Sequence, residues 1–364
     1  MKNSFGNSIS LTVFGESHGE AIGVVLDGLT PGIKLDYEYI DACLALRRPS
    51  GKISTPRKEK DEYKIVSGVF NGYTTGTPIA IIIENENVKS ADYSEISRVP
   101  RPSHADFAAE CKYHGFQDYR GGGHFSGRIT APIVAAGAIL RTALKNRGIY
   151  IGTHISELMG ISDADFSDYE SDIDALNKTV FPTISEKIGE EMISKIESAR
   201  EAHDSVGGVL ETAVIGMPCG VGEPFFDSVE SIISHLLFSV GGVKGVEFGL
   251  GFGFKDKFGS EANDEFCVLG GKIETKTNNN GGINGGITNG MPLIIKSAVK
   301  PTPSIFKEQQ SVNLDTMESV NLKLSGRHDA AIIHRARAVV DALIALGLCD
   351  LLAMRYGTDY FKGV

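Results

Sequence analysis

A chain of 364 residues, 41% of them hydrophobic, can bury a full core and fits one large domain or two ordinary ones. Its net charge of -10 lacks the basic footprint that general nucleic-acid binding needs. No apolar run approaches the ~20 residues that cross a bilayer, and Met1-Lys2-Asn3-Ser4-Phe5-Gly6 has no apolar signal core, so the expectation is a cytoplasmic protein with neither a nucleic-acid nor a membrane partner.

Strands are predicted over 8–14 and 22–27, with Gly15-Glu16-Ser17-His18-Gly19 between them. A helix follows over 36–47, capped by Asp36, with Ile40, Cys43, Leu44 and Arg47 at helical spacing. Strands at 63–70 and 78–84 lead to an Ala-rich helix over 129–147 that stops at Gly148. The acidic stretch 162–182 reads as a surface insertion. A helix over 183–202 places Ile184, Ile188, Ile193, Ile196 and Ala199 on one face; a strand over 207–216 and a helix over 227–240 come next. From Val246 to Phe254 large apolar residues alternate mostly with glycine, the period of a strand with one bare face. A strand over 291–299 and a helix over 329–346 complete the chain. Strands and helices mix without regular βαβ alternation, which predicts an α+β sandwich, a single domain over 1–364, with a faint internal pseudo-repeat.

Two segments carry imidazoles in loops shaped by glycine and proline. One is Gly15-Glu16-Ser17-His18-Gly19; the other is Arg101-Pro102-Ser103-His104-Ala105-Asp106. Histidine gives or takes a proton near neutral pH, so both segments point to an active site. The first fits G-x-S-x-G, but a nucleophile elbow lies between a strand and a helix, and here a strand follows. A serine hydrolase using Ser17 is therefore the first rival reading. His18, His104, Asp106 and His114 have no metal-ligand spacing, so no metal is expected. The five cysteines, far apart and without a C-x-x-C pair, read as buried reduced thiols. Positive charge concentrates in Arg47-Arg48, Lys52, Arg57-Lys58 and Lys60, a basic pocket suited to a small anion; Lys58 and Lys60 read as solvated. Glycine clusters at 121–123, 241–242 and 281–286 read first as tight turns and second as cradles for a phosphate or flat ring. None matches a P-loop or Rossmann fingerprint. Arg327-His328-Asp329 begins the last predicted helix, either as a cap or as a carboxylate aimed into a site.

In order along the chain, these segments resemble the chorismate synthase family from about residue 4 to residue 345. The motifs are Phe14 to Gly19, Arg47-Arg48-Pro49, Ser67 to Phe70 with Thr74 to Ile79, Arg101 to Asp106 and Asp118 to Gly123. Val243 to Glu247, Asn279 to Ile283, Lys300 to Ser304 and Gly326 to Asp329 follow. The resemblance implies a β-α-β sandwich assembled as a homotetramer. The implied reaction is an anti 1,4-elimination of phosphate and a ring hydrogen from 5-enolpyruvylshikimate-3-phosphate, giving chorismate. It depends on reduced FMN, with NADPH a further expectation as reductant. His18 would meet the departing phosphate with Ser17 beside it, His104 would set the protonation of the reduced flavin, and Asp329 would assist proton removal. Arg47, Arg48, Arg101, Arg128 and Arg327 would hold substrate anions or the flavin phosphate. The flavin would lie against His124, Phe125, Ser126, Gly241, Gly242, Gly285 and Lys300, Pro301, Thr302, Pro303 and Ser304. One stretch departs from the family: Gly-Gly-Arg-Ser-Ser-Ala-Arg-Glu-Thr becomes Gly122-Gly123-His124-Phe125-Ser126-Gly127-Arg128-Ile129-Thr130. A fixed cation becomes a titratable one, so flavin affinity is expected to vary with pH, and Phe125 supplies a ring able to stack. The same departure supports a second rival, a non-catalytic anion- or flavin-binding scaffold. Ser103 replaces a family glycine, a change only a strained turn would resist. The loop after Arg48 runs about one residue short, which leaves Lys52 as a stand-in for a further arginine.

Overall fold

Buried and half-exposed residues alternate along Ile79–Glu84, and this period of two, with its β-branched side chains, builds a strand with one face in the core. The computed structural model describes residues 2–49, 53–54, 61–85, 98–324 and 329–362. Arg57, Lys58, Lys60, Lys52 and Arg327 lie outside these, so the expectations placed on them are not addressed. Strands β1 (Ser4–Phe5), β2 (Ser10–Gly15) and β3 (Ala21–Asp27) form a meander. After helix α1 (Tyr37–Arg47) come β4 (Tyr63–Ser67), the hairpin β5 (Val69–Phe70) and β6 (Tyr73–Thr74), and β7 (Ile79–Glu84). The first sheet has the antiparallel order β1-β2-β3-β7-β4, with Val24 opposite both Val13 and Ile81.

Helices α2 (Asp106–Tyr113) and α3 (Thr130–Lys145) lead into β8 (Tyr150–Leu158), β9 (Ile161–Ser162), α4 (Tyr169–Leu176), α5 (Glu186–Glu201) and β10 (Gly208–Ile215). Next are α6 (Val229–Leu237), β11 (Val243–Phe248), the single turn α7 (Gly259–Ala262) and the hairpins β12 (Phe266–Leu269) with β13 (Lys272–Thr275) and β14 (Ile283–Asn284) with β15 (Ile287–Thr288). Then come β16 (Leu293–Val299), the hairpin β17 (Gln309–Val312) with β18 (Ser319–Leu322), and α8 (Ile333–Tyr356). The second sheet, also antiparallel, has the order β11-β16-β10-β8-β9. The fold is thus α+β.

Helix α3 lies against β3 and β7 and crosses α8, which packs on β8 and β10. From Ala336 to Ala353 every residue of α8 is buried, and so are twelve of the sixteen residues of α3. The crossing needs Gly137: a Cβ there would stand 2.6 Å from the Ala342 backbone. Asp36, Ser185 and Ser228 cap α1, α5 and α6 through their side-chain oxygens.

Several expectations need correction. The strand expected to reach Phe254 ends at Phe248, because Gly249 and Gly251 take φ of +57° and +52° and turn the chain out of the sheet. The strand 63–70 breaks at Gly68, φ +82°. Residues 162–182 are no mere surface insertion: α4 buries Ile173 and Leu176 on the second sheet, and Asp163 is held inside by His154 and the amides of Ile184 and Ser185. The strand Tyr150–Leu158, whose His154 and glycine interrupt its apolar pattern, was not expected at all. The last helix begins at Ile333 and runs ten residues past 346. Cys43 and Cys349 are buried, but Cys111 and Cys219 are exposed.

Candidate active site

The Gly15–Gly19 segment is the turn joining β2 to β3, not an entrance to a helix. That geometry lacks the strand-to-helix support of a nucleophile elbow. Ser17 and His18 are both buried, with Ser17 Oγ 3.0 Å from His18 Nδ1. The hydroxyl also reaches the carbonyls of Arg120 and Gly121, at 3.2 and 3.3 Å. Oγ is then left to accept from His18 Nδ1–H, which turns the ring's Nε2 away from Ser17.

The three glycines at 121–123, read first as a tight turn, are a packing device. All three have positive φ. A Cβ on Gly121 would stand 2.2 Å from His18 Cε1, and one on Gly122 would stand 3.6 Å from His104 Cε1. The bare backbone thereby lets the two histidine-bearing loops meet at adjacent glycines of one segment. Ser126, whose side chain lies beside Gly122, caps the turn that carries Arg128.

His104 is held by a carboxylate. Its Nδ1 is 2.5 Å from Asp106 Oδ1, while Arg101 spans both Asp106 oxygens at 2.8 Å. Arg101 Nη2 also stands 3.0 Å from His104 Nδ1, and the shorter contact assigns that proton to the Asp106 bond. Burial pushes the Asp106 carboxyl up, but hydrogen bonds from Arg101 and His104 outweigh it and hold the group well below the usual carboxylate range. The turn before His104 is strained, with Ser103 at φ +59°. Lys300 Nζ braces it by donating to the Ser103 carbonyl at 2.6 Å, and Arg101 reaches Ser304 Oγ at 3.5 Å. Lys300 N–H donates to the Gly242 carbonyl, so 241–242 and 300–304 border the same place.

The arginines expected to hold substrate anions meet a partner the sequence reading missed. Asp61 is buried; Arg47 Nη2 is 2.7 Å from its Oδ2, Arg128 Nη1 binds its Oδ1, and Arg48 Nε lies 3.6 Å away. Burial raises the Asp61 carboxyl, and Arg47 and Arg128 overcome this and lower it. Asp61 follows a run of mixed charge, Arg57 to Lys60, which reads as a solvated face; its left-handed backbone, φ +51°, turns it inward. Asn85 links this cluster to the His18 turn, donating to the carbonyls of Glu16 and Gly19 at 3.0 Å and accepting from Arg128 at 3.2 Å. Asp329 joins through Arg335, 2.6 Å from its carboxylate, which also donates to the Arg47 carbonyl at 2.8 Å.

His124 Nδ1 donates to the Gly15 carbonyl at 2.8 Å, and Phe125 lies edge-on to Tyr113 in a recess shared with Arg101, Asp106 and Gly122. Gly285 is not brought to this place. It turns the β14–β15 hairpin beside the N-terminus of α6, where Val229 N–H bonds the Gly286 carbonyl, at the opposite end of β16 from Lys300. His114 closes α2 in the left-handed conformation.

The chorismate synthase family model matches residues 9–353. Chorismate synthase of Thermococcus kodakarensis is 45% identical over 350 residues, 96% of this chain and 97% of the relative. That of Dehalococcoides mccartyi is 44% identical over 358 residues, 98% of both. A crystal structure of a chorismate synthase superposes with a TM-score of 0.76 at 27% identity, covering 98% of this chain and 96% of the other. Histidine loops joined by a glycine segment, arginines drawn to one buried carboxylate and a match over nearly the whole length lead to one conclusion: the chain belongs to the chorismate synthase family.

Proposed function

We infer that the protein carries out the family's reaction, the 1,4-elimination of phosphate and a ring hydrogen from 5-enolpyruvylshikimate-3-phosphate to give chorismate in the shikimate pathway. The observation that carries the reading onto these residues is the pairing of His18 and His104 across Gly121-Gly122. His18, oriented by Ser17, is suited to meet the departing phosphate. His104 has Nδ1 committed to Asp106, which directs Nε2 at its opposite edge to proton exchange with the cofactor. Asp329 is the carboxylate that assists proton removal. Arg48, Arg101 and, outside the described residues, Arg327 are the cations for the substrate's anionic groups. Arg47 and Arg128 spend donors on Asp61, Gly127, Asn85 and Glu84, so they shape that pocket from within.

The residues present suit a reduced flavin. Among the described residues, Thr302 Oγ1 is buried without a hydrogen-bond partner and a Cβ on Gly241 would meet nothing within 4 Å, which leaves polar, open lining beside the His104 turn. His124, Phe125, Ser126, Gly241, Gly242 and Lys300 to Ser304 would hold FMN. When bound it lends electron density to a substrate whose departing hydrogen is only weakly acidic. NADPH is the reductant in this reading. The helices form the middle layer of a β-α-β sandwich with an internal pseudo-repeat, one domain spans 1–364, and the protein works in the cytoplasm. It assembles as a homotetramer, for which exposed Phe252, Phe258, Phe266, Val268 and Ile273 supply an apolar surface.

The test is anaerobic. Purified protein, FMN reduced by light or dithionite and 5-enolpyruvylshikimate-3-phosphate should yield chorismate absorbance and phosphate together, and neither with oxidised FMN. Binding of flavin and substrate without product would favour the non-catalytic scaffold. Labelling of Ser17 by a serine-directed phosphonate would favour a hydrolase.

A further inference from the structure

Arg335 occupies the first turn of α8, where a cation opposes the helix dipole. Its neighbours explain the placement. Nη1 is 2.6 Å from Asp329 Oδ2, and Nε donates at 2.8 Å to the carbonyl of Arg47, the last residue of α1. That carbonyl is among those a helix end leaves without an intrahelical partner. Arg47 in turn reaches Asp61, which binds Arg128. One side chain therefore connects the proposed proton-accepting carboxylate to the arginine cluster, and it stands on a helix buried from Ala336 to Ala353. Both partners are largely shielded, Arg335 with 18% and Asp329 with 14% of the side chain exposed.

We propose that Arg335 is a positioning residue for the elimination: its guanidinium fixes the Asp329 carboxylate relative to the Arg47–Asp61–Arg128 cluster that shapes the substrate pocket. The proposal rests on the functional reading above. Its chemistry requires a planar group with donors on separate nitrogens, since one edge serves a carboxylate while Nε serves a carbonyl. Lysine, with a single nitrogen, cannot span both. Misplacement of a reacting group by about 1 Å can cost 10²-fold in rate.

The experiment is a double-mutant cycle on the full-length protein with reduced FMN and 5-enolpyruvylshikimate-3-phosphate varied up to saturation: Arg335→Gln, Asp329→Asn and the pair. Arg335→Gln should lower kcat by about 10- to 100-fold with KM changed less than about 3-fold. In the Asp329→Asn background the same change should lower kcat no further than about 2-fold. Arg335→Lys should recover part of the rate, and it keeps the test open if Arg335→Gln does not fold. Losses that multiply in the pair, or a normal kcat with only a lower melting temperature, would reduce Arg335 to a cap on α1 and overturn the proposal. Wild-type protein that makes no chorismate would defeat the functional reading, and this proposal with it; wild-type turnover with multiplying losses defeats the proposal alone.

Discussion

Ser103 sits at φ +59°, a conformation that costs an L-residue about 1–2 kcal/mol and glycine very little. Ser103→Gly should therefore raise unfolding stability by about 1 kcal/mol, net of glycine's larger entropy loss, as read by urea denaturation. A neutral or destabilising result would mean that Lys300 braces the turn well enough to make residue type irrelevant. Gly121 makes the opposite case. With φ +58° and a would-be Cβ 2.2 Å from His18 Cε1, alanine there must displace the ring. Gly121→Ala should lower kcat/KM at least about 100-fold while the protein stays folded by circular dichroism. His124 replaces a fixed cation, and its Nδ1–H is committed to Gly15. His124→Arg restores the fixed cation and should tighten FMN binding; an unchanged Kd in a flavin titration would sink the idea.

At the scale of elements, two contacts decide how the helical layer meets the rest. Asp350, near the end of α8, is buried and accepts the amides of Asn7, Ser8 and Ile9 at 2.7 to 3.1 Å, fastening the start of the chain to its last helix. Asp350→Ala should cost about 2–4 kcal/mol, because it removes charge-assisted bonds and strands buried donors. A loss under about 1 kcal/mol in the same denaturation assay would show that these amides find other partners. Gly137 sets two effects against each other. Helix propensity favours Gly137→Ala by about 1 kcal/mol. The added Cβ, however, would stand 2.2 Å from the Ala342 Cβ and 2.6 Å from its Cα, on a backbone that cannot swing aside. Overpacking costs typically about 1–3 kcal/mol, so the variant should be net destabilised.

For the whole molecule, stability should depend on pH from both sides. His154 is buried on the second sheet between Asp163 and Glu211, with Lys296 on the far side of Glu211 and Phe166 against the ring. Burial lowers its pKa, but the hydrogen bond to Asp163 and the nearby Glu211 carboxylate outweigh that and raise it. A raised folded value means the stabilisation is complete below about pH 6.5, the unfolded value, and is lost as pH climbs through the folded one. Asp61, Asp106, Asp163 and Glu211 are shifted down, so their contribution is present above about pH 4 and disappears as pH falls through their folded values. Melting temperature should fall on both sides of a plateau in mildly acidic solution. His154→Asn should flatten the alkaline side, and an unchanged alkaline slope would take His154 out of the account.

The sequence by itself determined the local structure wherever one residue's chemistry sets it. Asp36 opens α1, the α1 residues expected in the core are the ones buried, and most strands of both sheets follow from their β-branched runs. Motif order likewise carried the family. It did not determine contacts whose partners lie far apart along the chain. Asp61 looks like one more charge in a solvated run until a left-handed turn buries it among arginines from residues 47 and 128. Arg335 looks like an ordinary helix cation until α1 ends beside it. The strand Tyr150–Leu158 was hidden because its polar His154 is buried beside Asp163 and against Glu211, its neighbour on β10. In each case burial of a charge is decided by the charge that meets it, and that meeting is made by tertiary structure alone.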